Sequence, residues 1–167
     1  MKKLILIIAI VFSGMLMQAQ IELKGIKLGE IYTGVIDETV GGYDMIFTSL
    51  GGISGAIGIL KLNDGTVCQI AFQANDDSNS PERISESEAK MLIKGVENKF
   101  NVKLKNRGEN GIYDKFYYVE KNGIVYCVTL DINNYMAPST ACVIVIQDSH
   151  LMDIKDSEQQ ELANQDF

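Results

Sequence analysis

Two hairpin turns on either side of one helix constrain this chain more than any other feature. Asn63-Asp64-Gly65 separates a glycine-rich strand, residues 53–62, from its partner at 66–73. Lys121-Asn122-Gly123 separates an aromatic strand, residues 113–120, from its partner at 124–132. Asp-Gly and Asn-Gly supply the positive φ angles that tight hairpin loops demand, so both pairs read as antiparallel. Between them, Ser85 stands three residues ahead of Glu88, the spacing at which a cap hydroxyl and a carboxylate satisfy each other's backbone donors. Ala89, Leu92, Ile93, Val96 and Phe100 follow at helical spacing, which predicts a helix over 86–99. Residues 140–147 form a further, strongly apolar strand, and 20–29 a short extended entry segment. Hairpin, helix, hairpin, strand is an α+β order. It predicts an antiparallel sheet of about five to seven strands with one main helix packed on it.

The remaining segments are read more coarsely. Residues 29–42 are assigned to irregular structure or weak strand. Alternation places Cys68, Ile70 and Phe72 on one face, taken as core. The glycines between Gly51 and Gly58 lack a GK[ST] ending and open no helix, so they read as a bent or bulged strand, or a close backbone approach, rather than a phosphate loop. Past His150 the chain turns charged. Leu151, Ile154 and Leu162 support a short helix, and an acidic tail over 153–167 is the equal alternative.

Residues 1–19 have the layout of a cleavable export signal. Met1-Lys2-Lys3 is basic, residues 4–12 are an unbroken apolar run, and Met17-Gln18-Ala19 puts a small residue before Gln20. The run is shorter than the roughly 20 apolar residues of a membrane span. A signal anchor is the alternative, but no basic cluster follows to stop transfer. The expected layout is a signal over 1–19, a single α+β domain over 20–152, and the tail or helix beyond. The expected location is the periplasm or the exterior. Removal of the signal leaves thirteen basic against twenty-two acidic residues, a charge of −9. Such a surface repels phosphate backbones, so nucleic acid is not an expected partner.

Much chemistry is disfavoured by composition. His150 is the sole histidine, so sites built on two or three imidazoles are out. Cys68, Cys127 and Cys142 lie in apolar runs away from any helix start that stabilises a thiolate. They read as buried thiols, with a Cys127–Cys142 bridge left open. Asp76-Asp77-Ser78-Asn79-Ser80 offers oxygen ligands but lacks the order of a calcium loop. No catalytic residue, metal or cofactor is assigned.

The candidate binding residues are tyrosines. Tyr113, Tyr117, Tyr126 and Tyr135 cluster in the second hairpin and the loop after it, with Phe116 and Tyr118. Exposed tyrosines combine area with a hydroxyl, a composition of recognition surfaces. Cross-strand packing is the plainer role for the same rings. Alternation puts Phe116 and Tyr118 on one face and Tyr117 and Val119 on the other, so one set points away from the helix-covered side.

Gln18-Ala19-Gln20, followed by Gly25-Ile26-Lys27-Leu28-Gly29, resembles the opening of small exported Gram-negative proteins. The helix-then-meander over 85–147 resembles periplasmic modules of the PepSY and β-lactamase-inhibitor-protein type. That resemblance implies a small non-catalytic binding or inhibitory domain and carries no functional residue with it. The expected function is therefore an exported, non-catalytic domain that binds a protein or an envelope component. The alternative is a small-ligand-binding protein or hydrolase, with a pocket lined by two or more of Glu109, Asp114, Asp131 and Tyr117. A third reading, assembly by strand addition, requires a long uncapped edge strand.

Overall fold

The computed structural model describes residues 20–74, 84–108, 114–133 and 139–165. The signal over 1–19, the loop 76–80, Glu109, Tyr113 and Tyr135 lie outside the described residues. The architecture is α+β and antiparallel, with more strands than expected and two helices instead of one. A small hairpin, β1 (Glu22–Leu23) and β2 (Ile26–Lys27), precedes an eight-stranded sheet. Its first meander is β3 (Glu38–Val40), β4 (Tyr43–Leu50), β5 (Ile53–Lys61) and β6 (Val67–Ala74). Helix α1 (Glu86–Phe100) follows. The second meander is β7 (Lys105–Asn106), β8 (Lys115–Lys121), β9 (Ile124–Asn133) and β10 (Ser139–Asp148), and helix α2 (Ser149–Gln165) closes the chain. The strand order β3-β4-β5-β6-β10-β9-β8-β7 lays the last strands of the two meanders side by side.

Residues 43–50 read as strand and form β4; the added strands are β3, in a segment read as irregular or weak strand, and the two-residue β7, and two of the turns lack an Asp or Asn. Gly41 and Gly42 (φ 59° and 84°) join β3 to β4, and Gly51 and Gly52 (φ 61° and 84°) join β4 to β5. Both are two-residue loops with two positive φ angles, the geometry that Asn122-Gly123 also adopts (φ 55° and 76°). The segment read as irregular structure or weak strand thus contributes the short β3 and the turn that pairs it.

One face of the sheet is covered by α1 and the β1–β2 hairpin. Ile57, Ile59, Ile70, Phe72, Val128, Ile144 and Ile146 are fully or almost fully buried there, against Ala89, Leu92 and Val96 of α1 and Leu23 and Ile26 of the hairpin. Burying each such aliphatic side chain contributes roughly 1.5–3 kcal/mol. The helix starts as expected. The Ser85 hydroxyl accepts from the Glu88 N–H, and the Glu88 carboxylate accepts from the Ser85 N–H at 2.8 Å. It ends one residue later than expected, at Phe100, with Asn101 left-handed (φ 49°).

The other face carries α2 at one end only. Leu151 and Met152 pack there on Leu60, Leu62 and Cys68. Asp148 caps the helix by accepting from the N–H groups of His150 and Leu151. Further along, both Glu158 carboxylate oxygens accept from the Asn63 N–H in the β5–β6 turn. The chain end is thus a full helix through Gln165, longer than the short helix considered and unlike a tail.

Cys68 is the one misplaced core residue. The register of β5 and β6 slips between Leu60 and Lys61, so Val67 joins the α1-side core and Cys68 moves to the α2 side. A bulge reverses the alternation beyond it. All three cysteines are free and buried. Cys142 stands opposite Leu130, and Cys127 opposite Val145. Their offset is odd, so the two side chains leave opposite faces of the sheet and cannot bridge.

Candidate functional site

The candidate site is the part of the second face that α2 leaves open. Two rows of side chains cross it in register. One runs Phe47, Ala56, Gln73, Val143, Thr129, Phe116; the next runs Met45, Gly58, Ala71, Val145, Cys127, Tyr118. Central residues are small apart from Gln73, and both ends of each row are large. The result is a shallow trough with a floor of Ala, Gly, Val, Cys and Thr interrupted by the Gln73 side chain. One wall, on β4, is Met45 and Phe47; the other, on β8, is Phe116 and Tyr118. Five strand spacings separate the walls, roughly 24 Å. Among the described residues the large floor and wall side chains are half-buried, shielded by their strand neighbours without a covering layer.

The walls are ordered by specific contacts. The Phe116 and Tyr118 rings stack with centroids 5.9 Å apart, and Arg107 lies 5.9 Å from the Tyr118 ring centroid. The Tyr118 hydroxyl donates to the Glu120 carboxylate at 3.2 Å. Desolvation first, and Glu120 second, push the Tyr118 hydroxyl above its ordinary pKa. On the opposite wall, Met45 Sδ and the Tyr43 ring lie where a Cβ on Gly58 would sit, at 3.3 and 3.2 Å. Toward α2 the trough closes on a polar relay. The Tyr43 hydroxyl donates to Gln69 Oε1 at 2.7 Å, and Gln69 Nε2 donates to Gln147 Oε1 at 2.6 Å.

The tyrosines singled out from the sequence fall differently. Tyr126 is 2% exposed, packed under α1 with the Phe100 ring 5.2 Å away, and burial pushes its hydroxyl up. It is a core residue and is withdrawn as a binding residue: β9 pairs its α1-facing side with Ile146 and Val119. Tyr117 is half-buried and packs on the same core, away from the trough. The alternation rule already placed Phe116 and Tyr118 opposite Tyr117. What the sequence did not tell was which set the helix would cover. Met45 and Phe47 were missed because nothing local ties β4 to β8, with four strands between them.

Of the carboxylates in the alternative reading, Glu109 lies outside the described residues, and Asp114, just ahead of β8, falls beside Asp131 of β9. Asp114 and Asp131 are exposed. The Asp114 carboxylate is taken by the Ile132 N–H. Asp131 alternates onto the trough side of β9, whereas Tyr117 packs on the α1 side. A shallow cavity of about 330 Å³ lies elsewhere, lined by Lys27, Glu30, Tyr32 and Gly34 among others. Ile31, which also lines it, and Val35, the residue after Gly34, are 62% and 80% exposed.

The cysteine thiols are held protonated by burial. Burial pushes the Cys127 thiol up to about 11 and the Cys142 thiol up to about 12, and Cys68 upward as well. A thiol so shifted holds its proton at neutral pH and is a poor nucleophile. His150 is exposed at the start of α2. Among the described residues no three His, Cys, Asp or Glu side chains group as metal ligands, and no helix is long and apolar enough to cross a membrane. The outer strands β3 and β7 are only three and two residues long. Beyond β3, the Phe47 N–H is taken by the Asp37 carboxylate. Edges so short are poor templates for strand addition.

Compared with family models, curated proteins and solved structures, the chain matches none.

Proposed function

We propose that this protein is an exported, non-catalytic binding domain, and that its partner, a protein or an envelope component, is held on the open face of the sheet. The observation that carries the reading is the trough: a small-residue floor between the β4 and β8 walls, left uncovered where α2 stops. Among the described residues no layer packs over this face beyond α2, and an apolar face without a covering layer marks an interaction site more often than an accident of packing. The export signal read in residues 1–19 and the resemblance to periplasmic binding modules point the same way. The wall residues are large and aromatic, the types that dominate interface energetics, and their rings are held by stacking and by Arg107 before any partner arrives.

Affinity capture from the cell envelope tests this. The processed protein should retain a defined partner identified by mass spectrometry, and Phe116→Ala with Tyr118→Ala should reduce its capture at least tenfold. Capture that survives both changes, with the circular dichroism of the variants unaltered, contradicts the assignment of this face. N-terminal sequencing of native material tests export: Gln20 is expected at the start, and an intact Met1 in a cytosolic fraction contradicts it.

A further inference from the structure

The trough shows by its own construction what shape it takes. Helix α2 already sits on this face, and it does so by placing Leu151 and Met152 over Leu60, Leu62 and Cys68. The floor beyond lies on the same face. From Leu60 and Cys68 it crosses the hydrogen-bonded Gln69–Gln147 pair and continues into Gly58, Ala71, Val145 and Cys127, whose side chains are smaller. A floor of small residues lets a helix approach closely. Walls roughly 24 Å apart at the backbone leave room for one helix about 10–12 Å across. A second sheet laid face to face sits about 10 Å away. The α2 layer already occupies that depth at one end, so a sheet is held off the rest of the floor.

Charge narrows the occupant further. Helix α2 carries Asp153, Asp156, Glu158 and Glu161 against Lys155 alone. Glu38 and Glu120 add to this side of the sheet, against Lys105 and Arg107 at the β7 edge. The surroundings of the trough are therefore acidic on balance, as is the processed chain at −9. A second copy brings the same charge and is repelled. We infer that the occupant of the open face is a cationic amphipathic helix of the partner, apolar side down between Met45–Phe47 and Phe116–Tyr118, lying in the same layer as α2. This rests on the reading of that face as the binding surface.

The test uses three model peptides of about fourteen residues, roughly four helical turns. One is a Leu/Lys amphipathic helix, one a scrambled isomer without the apolar stripe, and one the Leu/Glu counterpart. Each is titrated into the isotopically labelled processed protein. The Leu/Lys helix should shift the amide signals of Ala71, Val143, Val145 and Tyr118 and leave those of Ala89 and Leu92 in α1 unmoved. The scrambled and acidic peptides should bind at least tenfold more weakly, and Tyr118→Ala should weaken the Leu/Lys helix by a similar factor. Equal binding of the scrambled peptide, preference for the acidic one, or shifts elsewhere overturns the inference without any variant. So does a concentration-dependent doubling of mass in light scattering that moves the same four amides, since a second copy is then the occupant. If the Leu/Lys helix fails while the wall substitutions still abolish envelope capture, the partner class falls and the binding face stands. If both fail, the reading of the face falls too.

Discussion

Gly55 shows how a single atom fixes this sheet. A Cβ there would lie within 2.6 Å of the Phe72 ring and run into the Gln73 carbonyl. Gly55→Ala is expected to cost about 1–3 kcal/mol, the range for overpacking a filled core, measured by urea denaturation; an unchanged midpoint contradicts the close approach. The sequence had offered this position as a bulge or a near contact, and the near contact is what it holds. Cys142 gives a second residue-scale prediction. Its thiol titrates near 8.5 in the unfolded chain and near 12 in the fold, because burial disfavours the thiolate. Stability is therefore complete below about pH 8.5 and is lost as pH rises from there toward the folded value, by at most about 1.4 kcal/mol per pH unit. Cys142→Val under reducing conditions should flatten part of that alkaline decline; an identical slope argues that the thiol is not buried. The odd cysteine count and apolar flanks pointed to buried thiols. Only the register of β9 and β10 shows that two of them leave opposite faces.

At the scale of the element, helices are tied by a few polar contacts at their ends. Ser85→Ala removes the α1 cap and is expected to cost about 1 kcal/mol, read as a shift in thermal midpoint. Glu158→Ala frees the Asn63 N–H and loosens α2 over Cys68, which is fully buried beneath it. Labelling by a thiol reagent, mapped by mass, should then rise at Cys68 but not at Cys142; no change at Cys68 contradicts the clasp. The capping box and apolar stripe made α1 readable from sequence because all of its determinants are local. The Asp-Gly and Asn-Gly turns were readable for the same reason. The Gly-Gly turns at 41–42 and 51–52 carry the same stereochemistry, yet a glycine pair also fits a break in a strand. Strand β3 and the full strand count therefore emerge only once pairing is known. Helix α2 was read only as a short helix or a tail because its apolar residues are sparse and much of its length is exposed. Its placement depends on Asn63, which lies some ninety-five residues earlier.

For the whole molecule, the order of strands decides where function can sit. Each meander is followed by a helix, and the two helices settle on opposite faces. One face is closed by α1 and the β1–β2 hairpin, and among the described residues nothing covers the other beyond α2. The fold class was legible because hairpins force antiparallel pairing. Of the proposed face, the sequence pointed to the aromatic hairpin alone, because β10 inserts between β6 and β9, and that insertion brings the β4 and β8 walls to face each other across one floor. The central claim is that this open face is the binding surface. Hydroxyl-radical footprinting of the processed protein, with and without its own envelope extract, tests it side chain by side chain. Protection of Met45, Phe47, Phe116 and Tyr118, with Met91 on α1 unchanged, is the predicted result. Protection confined to Met91, or to Ile31 and Val35, with the four wall residues unaffected, would contradict it.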